Sequence, residues 1–409
     1  MKQPKTGISH REFVFLMALL MSMTALSIDA MLPALGQIGQ SLNVQNSNDT
    51  QMVISAVFLG MAVGLLLYGP LSDSYGRKNS LYLGIFIFLI GVIISIYSTN
   101  FSFMLMGRVL QGFGSASARV VTIALIRDRF EGSEMGRVMS LILAVFIMVP
   151  ALAPSIGQGI LYVADWRAIF WFIFAMGIFG GLWLNIRQPE TLTLENRRSF
   201  TFAIIYSGIL ETIKNPISRT YAIISGIIFG AFLGYLSSAQ QILQIQYELR
   251  DSFPLYFGGL ALVIGVSSIT NSKLVMRFRM EVLCQTALIT VTVTSFFFLM
   301  YVNYLPADPD LTILMIFLLI VFFNVGILFG NLNTLAVQPL GHIAGIGTSI
   351  VGSVQTMFSV ALGGVIGQLY NGTVIPLISG FFACGLLSLF VFMKLQHQIK
   401  KQNLSSNDK

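Results

Sequence analysis

Asp29, Arg108 and Arg119 pose the first question about this sequence, because each places a charge inside a long run of apolar residues. A charge surrounded by hydrocarbon is expensive, so it needs a partner, a water-filled space or a protonation change that removes it. Asp29, in the segment SIDAMLPAL, is the only carboxylate well inside any such run, and Arg108 opens RVLQG in another. Each lies about six residues, or ~9 Å, from the same outer end of its run. The two therefore share a depth and are expected to pair, directly or through water. A nearby cation favours the carboxylate and loss of water favours the acid, an opposition that lets one carboxyl change charge with conformation. The chemistry this suggests is proton exchange at Asp29, tuned by Arg108 and its neighbour Gln111. Eleven residues separate Arg108 from Arg119, which at ~100° per residue is about 20° beyond three full turns. Arg108, Gly112, Ser115 and Arg119 thus share one helix face, a polar stripe expected to border water.

The elements that hold these residues follow from composition. At 55% hydrophobic and 10% charged, the 409 residues carry more apolar side chain than a water-soluble domain hides. The excess comes in runs of roughly twenty residues, the length of a helix that crosses about 30 Å of hydrocarbon. Twelve spans are predicted: 13–35, 52–71, 81–97, 102–126, 138–163, 168–186, 221–243, 253–271, 282–303, 311–335, 346–370 and 374–395. The first is too long for a signal-peptide core and lacks a small-residue cleavage site, so it reads as a retained span. Cys284 and Cys384 fall inside spans and read as small buried hydrophobes.

The net charge of +7 is topological. On this map Arg167 and Arg250 are the only cations on one side, Arg108 and Arg119 lie within a span, and all other Lys and Arg, from Lys2 and Lys5 through Arg198 to Lys409, gather on the opposite side. The positive-inside rule then puts both termini in the cytoplasm. The longest polar connection, 187–219, divides the chain into a six-span bundle at 1–186, a cytoplasmic linker, and a second six-span bundle at 220–409. Two such halves suit a transporter that rocks one bundle against the other around a central site.

Two further segments stand out. The turn after the second span reads GPLSDSYGRKNSL, with Gly69, Asp73, Gly76 and Arg77. Its glycines permit a tight turn and close helix approach, and Asp73 can meet a helix N-terminus or the Arg77 and Lys78 pair. The fifth span holds VPALAPSIGQG, where Pro150 and Pro154 remove backbone hydrogen bonds and Gly157 offers a flat face for packing. In the second half Tyr235, Gln241, Asn331 and Gln355 are polar candidates for substrate contact, with helix-to-helix hydrogen bonding as their ordinary role. Met148 is a candidate for the apolar wall of a binding site. The three histidines are scattered without metal-ligand spacing, and a Walker loop, a nucleophile elbow and paired catalytic carboxylates are all missing from the sequence.

GPLSDSYGRKNSL resembles the signature loop of the major facilitator superfamily, departing chiefly at Ser74. SIDAMLPAL and RVLQGFGSASAR resemble the first and fourth spans of its bicyclomycin and chloramphenicol resistance (Bcr/CflA) branch of drug:proton antiporters. VPALAPSIGQG is similar to the exporter motif of the superfamily, with Ala153 and Gln158 in place of two glycines. The resemblance implies an all-α membrane fold of twelve helices in two pseudo-symmetric bundles. It implies that Gly69, Asp73, Gly76 and Arg77 form a conformational gate, that Asp29 exchanges protons and substrate, and that Arg108 tunes it. Some multidrug members carry a second acid eight residues before the first; here that position is Met21.

The expected function is proton-driven efflux of small amphipathic compounds by alternating access, across a bacterial inner membrane, powered by the proton gradient without a cofactor. The working form is expected to be a monomer whose partners are its small-molecule substrate and the bilayer, with no nucleic acid. Export of a metabolite such as a sugar, amino acid or siderophore would use the same residues. A passive channel predicts flux indifferent to Asp29, and a membrane enzyme predicts a catalytic cluster that the sequence lacks.

Overall fold

The computed structural model describes residues 8–197, 199–304 and 308–407. Lys2, Lys5, Arg198 and Lys409, which enter the charge distribution above, lie outside the described residues. Every regular element among the described residues is helical. The long helices are α1 His10–Asp29, α2 Met52–Tyr75, α3 Arg77–Ile96, α4 Phe101–Arg129, α5 Gly132–Leu161 and α6 Trp166–Arg187 in the first half. The second half has α7 Pro216–Ala239, α8 Phe253–Leu274, α9 Met280–Tyr304, α10 Leu311–Val337, α11 Ala344–Gln368 and α12 Ile375–Asn407. Among the described residues, 11 helices are long and apolar enough to cross a membrane. The remaining expected span is α5, 30 residues long, with a shorter apolar stretch at Met148–Leu161.

Polar caps fix where several helices begin. Ser9, Asn100, Asp165, Asn215 and Asp310 each accept a hydrogen bond from a backbone N–H of the following first turn, satisfying donors that have no partner inside the helix. Pro216, directly after Asn215, occupies the first-turn position where a missing N–H costs nothing.

The chain divides into two compact units, the first ending at Ser207 and also taking in Leu249–Leu262, the second formed by Gly208–Glu248 and the residues from Val263 onward. In the first unit α4 packs on α2, α3 and α1. Small residues let these backbones meet: a Cβ on Gly112 would lie 1.8 Å from the carbonyl oxygen of Val57 in α2, so no larger residue fits that crossing. The beginning of α1 is fastened to the end of α6, where Arg187 grips the Glu12 carboxylate through two hydrogen bonds of 2.6 and 2.8 Å and the Trp183 indole donates a third of 3.1 Å. In the second unit α7 packs on α10, α11 and α12, and α9 on α10 and α12.

Three features depart from the sequence map. The segment read as a polar linker contains a 13-residue helix, Phe202–Lys214, whose Phe202, Tyr206, Leu210 and Ile213 fall at helical spacing. The first span breaks just after Asp29, passes through a short 3-10 turn at Leu32–Ala34, and resumes as Leu35–Ser41. The seventh continues past Ala239 as a π-helix, Gln240–Gln246.

Candidate functional site

Asp29 is the last residue of α1 because of Pro33. An α-helix needs the N–H of residue i+4 to bond the carbonyl of residue i, and proline has none to offer Asp29. The chain tightens into the 3-10 turn instead. Asp29 is buried, at 5% exposure. Among the described residues its carboxyl makes no ion pair and accepts no hydrogen bond.

The expected direct pairing with Arg108 is therefore corrected. Arg108 is fully buried, and its guanidinium donates to the Val53 carbonyl at 3.0 Å, the Gln111 Oε1 at 2.8 Å and the Ser27 carbonyl at 2.7 Å. Gln111 passes the network on, donating to Ser95 Oγ at 2.8 Å and to the Gly91 carbonyl at 3.2 Å. The guanidinium also lies 5.7 Å from the centre of the Phe170 ring. Main-chain oxygens of α1, α2 and α3 thus gather around one α4 cation and its glutamine, which offsets the cost of burying it. Arg108 and Asp29 lie at similar depth, but the rotation of each helix about its axis turns the guanidinium to the α1 backbone. Arg108 meets α1 two residues short of Asp29, at the backbone of Ser27.

On the other side of Asp29 stands α5. A Cβ on Gly157 would come within 2.0 Å of the Ala30 carbonyl oxygen, so the exporter-like segment rests its glycine on the residue after Asp29. Both Pro150 and Pro154 lie within the same helix. Asp29 is thus bracketed by an arginine holding Ser27 and a glycine seated on Ala30.

The stripe on α4 is only partly open. Gly112 is packed against α2, and Ser115 is buried with its hydroxyl donated to the Gly112 carbonyl at 3.0 Å. Arg119 is half-buried and, among the described residues, has no hydrogen-bond or ion-pair partner. A guanidinium this deep in a spanning helix costs about 3 kcal/mol on the most lenient scale.

The GPLSDSYGRKNSL turn builds a second charged cluster. Arg77 is buried at 8% exposure and binds Asp128 at 3.0 Å, Ser72 Oγ at 2.8 Å and Asp73. Asp128, at the end of α4, and Glu190, just after α6, were not anticipated. Glu190 accepts from the backbone N–H of Arg77 and Lys78, both at 3.0 Å, and so caps α3 from outside the helix. Gly76 makes this possible: its φ of +100° suits glycine alone, and a Cβ there would meet Glu190 Oε2 at 2.4 Å. Gly69 lies in α2 before this turn. An acid at the fourth position of the stretch read as linker was the available signal; nothing in its spacing pointed to α3.

The second-half candidates are dispersed in role. Asn331 exchanges two hydrogen bonds with Asn271, at 3.1 and 2.8 Å, joining α10 to α8. Tyr235 is buried edge-on to Phe322, with ring centres 4.7 Å apart. Gln241, in the π-helix, accepts the Tyr370 hydroxyl on its carbonyl at 3.3 Å, and Tyr370 also donates to Gln246 at 3.0 Å. Gln355 is buried in α11 where that helix crosses Gly226. Met148 is more than half exposed.

The sequence pattern of the Major Facilitator Superfamily matches residues 14–367, most of the chain. This chain belongs to that superfamily. It is a multi-pass membrane transporter and not an enzyme. An uncharacterized MFS-type transporter, YdgK of Bacillus subtilis strain 168, is 27% identical over 97% of this chain and 98% of its own length. A bicyclomycin resistance protein homolog of Haemophilus influenzae is 26% identical over 93% of this chain and 95% of its own. The multidrug resistance protein MdtL of Klebsiella pneumoniae is 24% identical, over 90% and 91%. These names bear out the resemblance to drug:proton antiporters of the superfamily. Among solved structures, the human organic anion transporter MFSD10 superposes with a TM-score of 0.66 at 16% identity, covering 95% of this chain and all of that one, which supports the fold.

Proposed function

We propose that this transporter is a proton-coupled exporter of small amphipathic compounds, working by alternating access in a bacterial cytoplasmic membrane with both termini inside. The observation that carries the reading is Asp29: a buried carboxyl without a partner among the described residues, at the one place where α1 stops being a helix. Protonation removes the cost of an uncompensated charge in a dry setting, whereas water or a substrate group compensates the carboxylate. A proton taken from the outer side lets the transporter change state, and its release inside accompanies substrate binding. Arg108 contributes by position, holding the Ser27 backbone, and Gly157 contributes by letting α5 press on Ala30. In this reading the cluster of Asp73, Arg77, Asp128 and Glu190 is the gate. The cargo meets the first unit at Asp29, Ser115, Arg119 and Met148. The names of the relatives, bicyclomycin and multidrug resistance proteins, support efflux.

The test is proton release from detergent-solubilised protein on adding a panel that includes bicyclomycin and chloramphenicol. Wild type is expected to release protons and Asp29→Asn to release none. Equal release from both removes Asp29 from the mechanism.

A further inference from the structure

We infer that Arg119 is the binding site for an anionic group of the cargo, so that the preferred substrates are amphipathic carboxylates. The inference deepens the efflux reading and rests on it. It comes from a count of embedded charges in the first unit. Arg108 is fully buried, and its Nε, Nη1 and Nη2 are each engaged, by Val53, Gln111 and Ser27, within the packed unit. Arg119 has no such partner among the described residues.

Two escapes are closed to Arg119. It lies ten residues before the end of α4, about 15 Å at ~1.5 Å per residue, farther than an arginine side chain extends toward the basic end marked by Arg127 and Arg129. It does not look into lipid across the helix, since α4 turns the faces of Gly112 and Gly114 onto α2 and α3, while Arg108, within about 20° of Arg119, points at α1. Ser115, one turn away, gives its proton to the Gly112 carbonyl and donates nothing to a ligand. What remains is a half-buried fork of N–H donors, matched in shape and charge to a carboxylate. It stands about 16 Å along α4 from the level of Arg108, and Arg108 marks the level of Ser27 and hence of Asp29. Proton and anion sites are therefore separate, and an anionic group need not approach the Asp29 carboxylate.

A charge balance follows. One proton moving in and one monoanion moving out carry charge in the same direction, so an inside-negative potential accelerates exchange. Neutral cargo halves that response and a monovalent cation cancels it.

The experiment uses proteoliposomes with a clamped proton gradient and a matched fluorescent pair, 7-methoxycoumarin-3-carboxylate and its carboxamide, with ethidium as the cationic probe. The carboxylate is expected to move fastest and to speed up with an imposed inside-negative potential. Arg119→Gln should raise the half-saturating concentration of the carboxylate roughly 10- to 100-fold while changing that of the amide less than about threefold, and Arg119→Lys should restore part of the loss. The unchanged amide flux serves as the folding control. Preference for ethidium or the amide, or carboxylate flux indifferent to Arg119→Gln, overturns the inference while leaving efflux intact if those fluxes still need Asp29. If no probe moves, or all move equally in Asp29→Asn, the efflux reading fails and the anion site falls with it.

Discussion

The first and seventh spans both abandon α-helical geometry toward one end, and they do so with opposite chemistry. In α1 a proline ends the helix beside a carboxyl, and the cation at that level is Arg108 of the neighbouring α4, bonded to the Ser27 carbonyl. Beyond α7 a run containing four glutamines, QQILQIQ, widens into a π-helix whose polar contacts are neutral, with Tyr370 bonded to Gln241 and Gln246. A π-helix loosens the backbone ladder and leaves carbonyls for side chains to bind, as the Tyr370 hydroxyl does here. The contrast teaches that a broken span supplies exposed backbone in either unit, while a titratable side chain stands at the break only in the first. In the proposed mechanism, coupling to protons belongs to the first unit, and the π-helix of the second offers neutral hydrogen bonds.

The sharpest way to break this comparison is Arg108→Leu, which strands the carbonyls of Ser27 and Val53 and the Gln111 amide. Flux in proteoliposomes should fall more than about 100-fold, with a stability loss of about 3 kcal/mol or more by thermal denaturation in detergent; mild loss of both would mean that the buried cation does not organise the unit. Next is Pro33→Ala, which returns an N–H to the Asp29 carbonyl and lets α1 continue. About tenfold slower exchange with unchanged or higher thermal stability is expected, and unaltered exchange would show that the break is incidental. Gly157→Ala should cost about 1–3 kcal/mol because its methyl meets the Ala30 carbonyl, read as a lowered melting temperature. The smallest effect belongs to the neutral unit. Asn331→Ala and Asn271→Ala should each cost about 1 kcal/mol, with a coupling of roughly 0.6 kcal/mol in a double-mutant cycle. Asn271→Ala should leave proton release unchanged.

Much of the fold was legible because lipid imposes a length. Apolar runs near twenty residues mark helices, and the caps at Asn100, Asn215 and Asp310 stand where the runs begin. The helix Phe202–Lys214 was missed because it is too short to cross, and its charged flanks resemble a loop. Within the site, Asp29, Arg108 and Gln111 were found because charge and amide groups are rare inside hydrocarbon. The partners of Arg108 were not, since carbonyl oxygens belong to every residue and leave no trace in a sequence. Asp128 and Glu190 escaped for the opposite reason: in a polar turn an acid is ordinary, and only the fold brings them to Arg77 and to the N-terminus of α3.

Pro33 has one more effect. By withholding its N–H it leaves the peptide oxygen of Asp29 outside the helical ladder, so that residue presents two kinds of oxygen: a carboxyl pair that gains and loses a proton, and a main-chain acceptor that never does. A hydrated proton arriving there would find a fixed docking atom next to its destination. Replacing the carboxyl by an amide would silence the exchange yet leave that docking atom in place, making the two contributions separable on one residue.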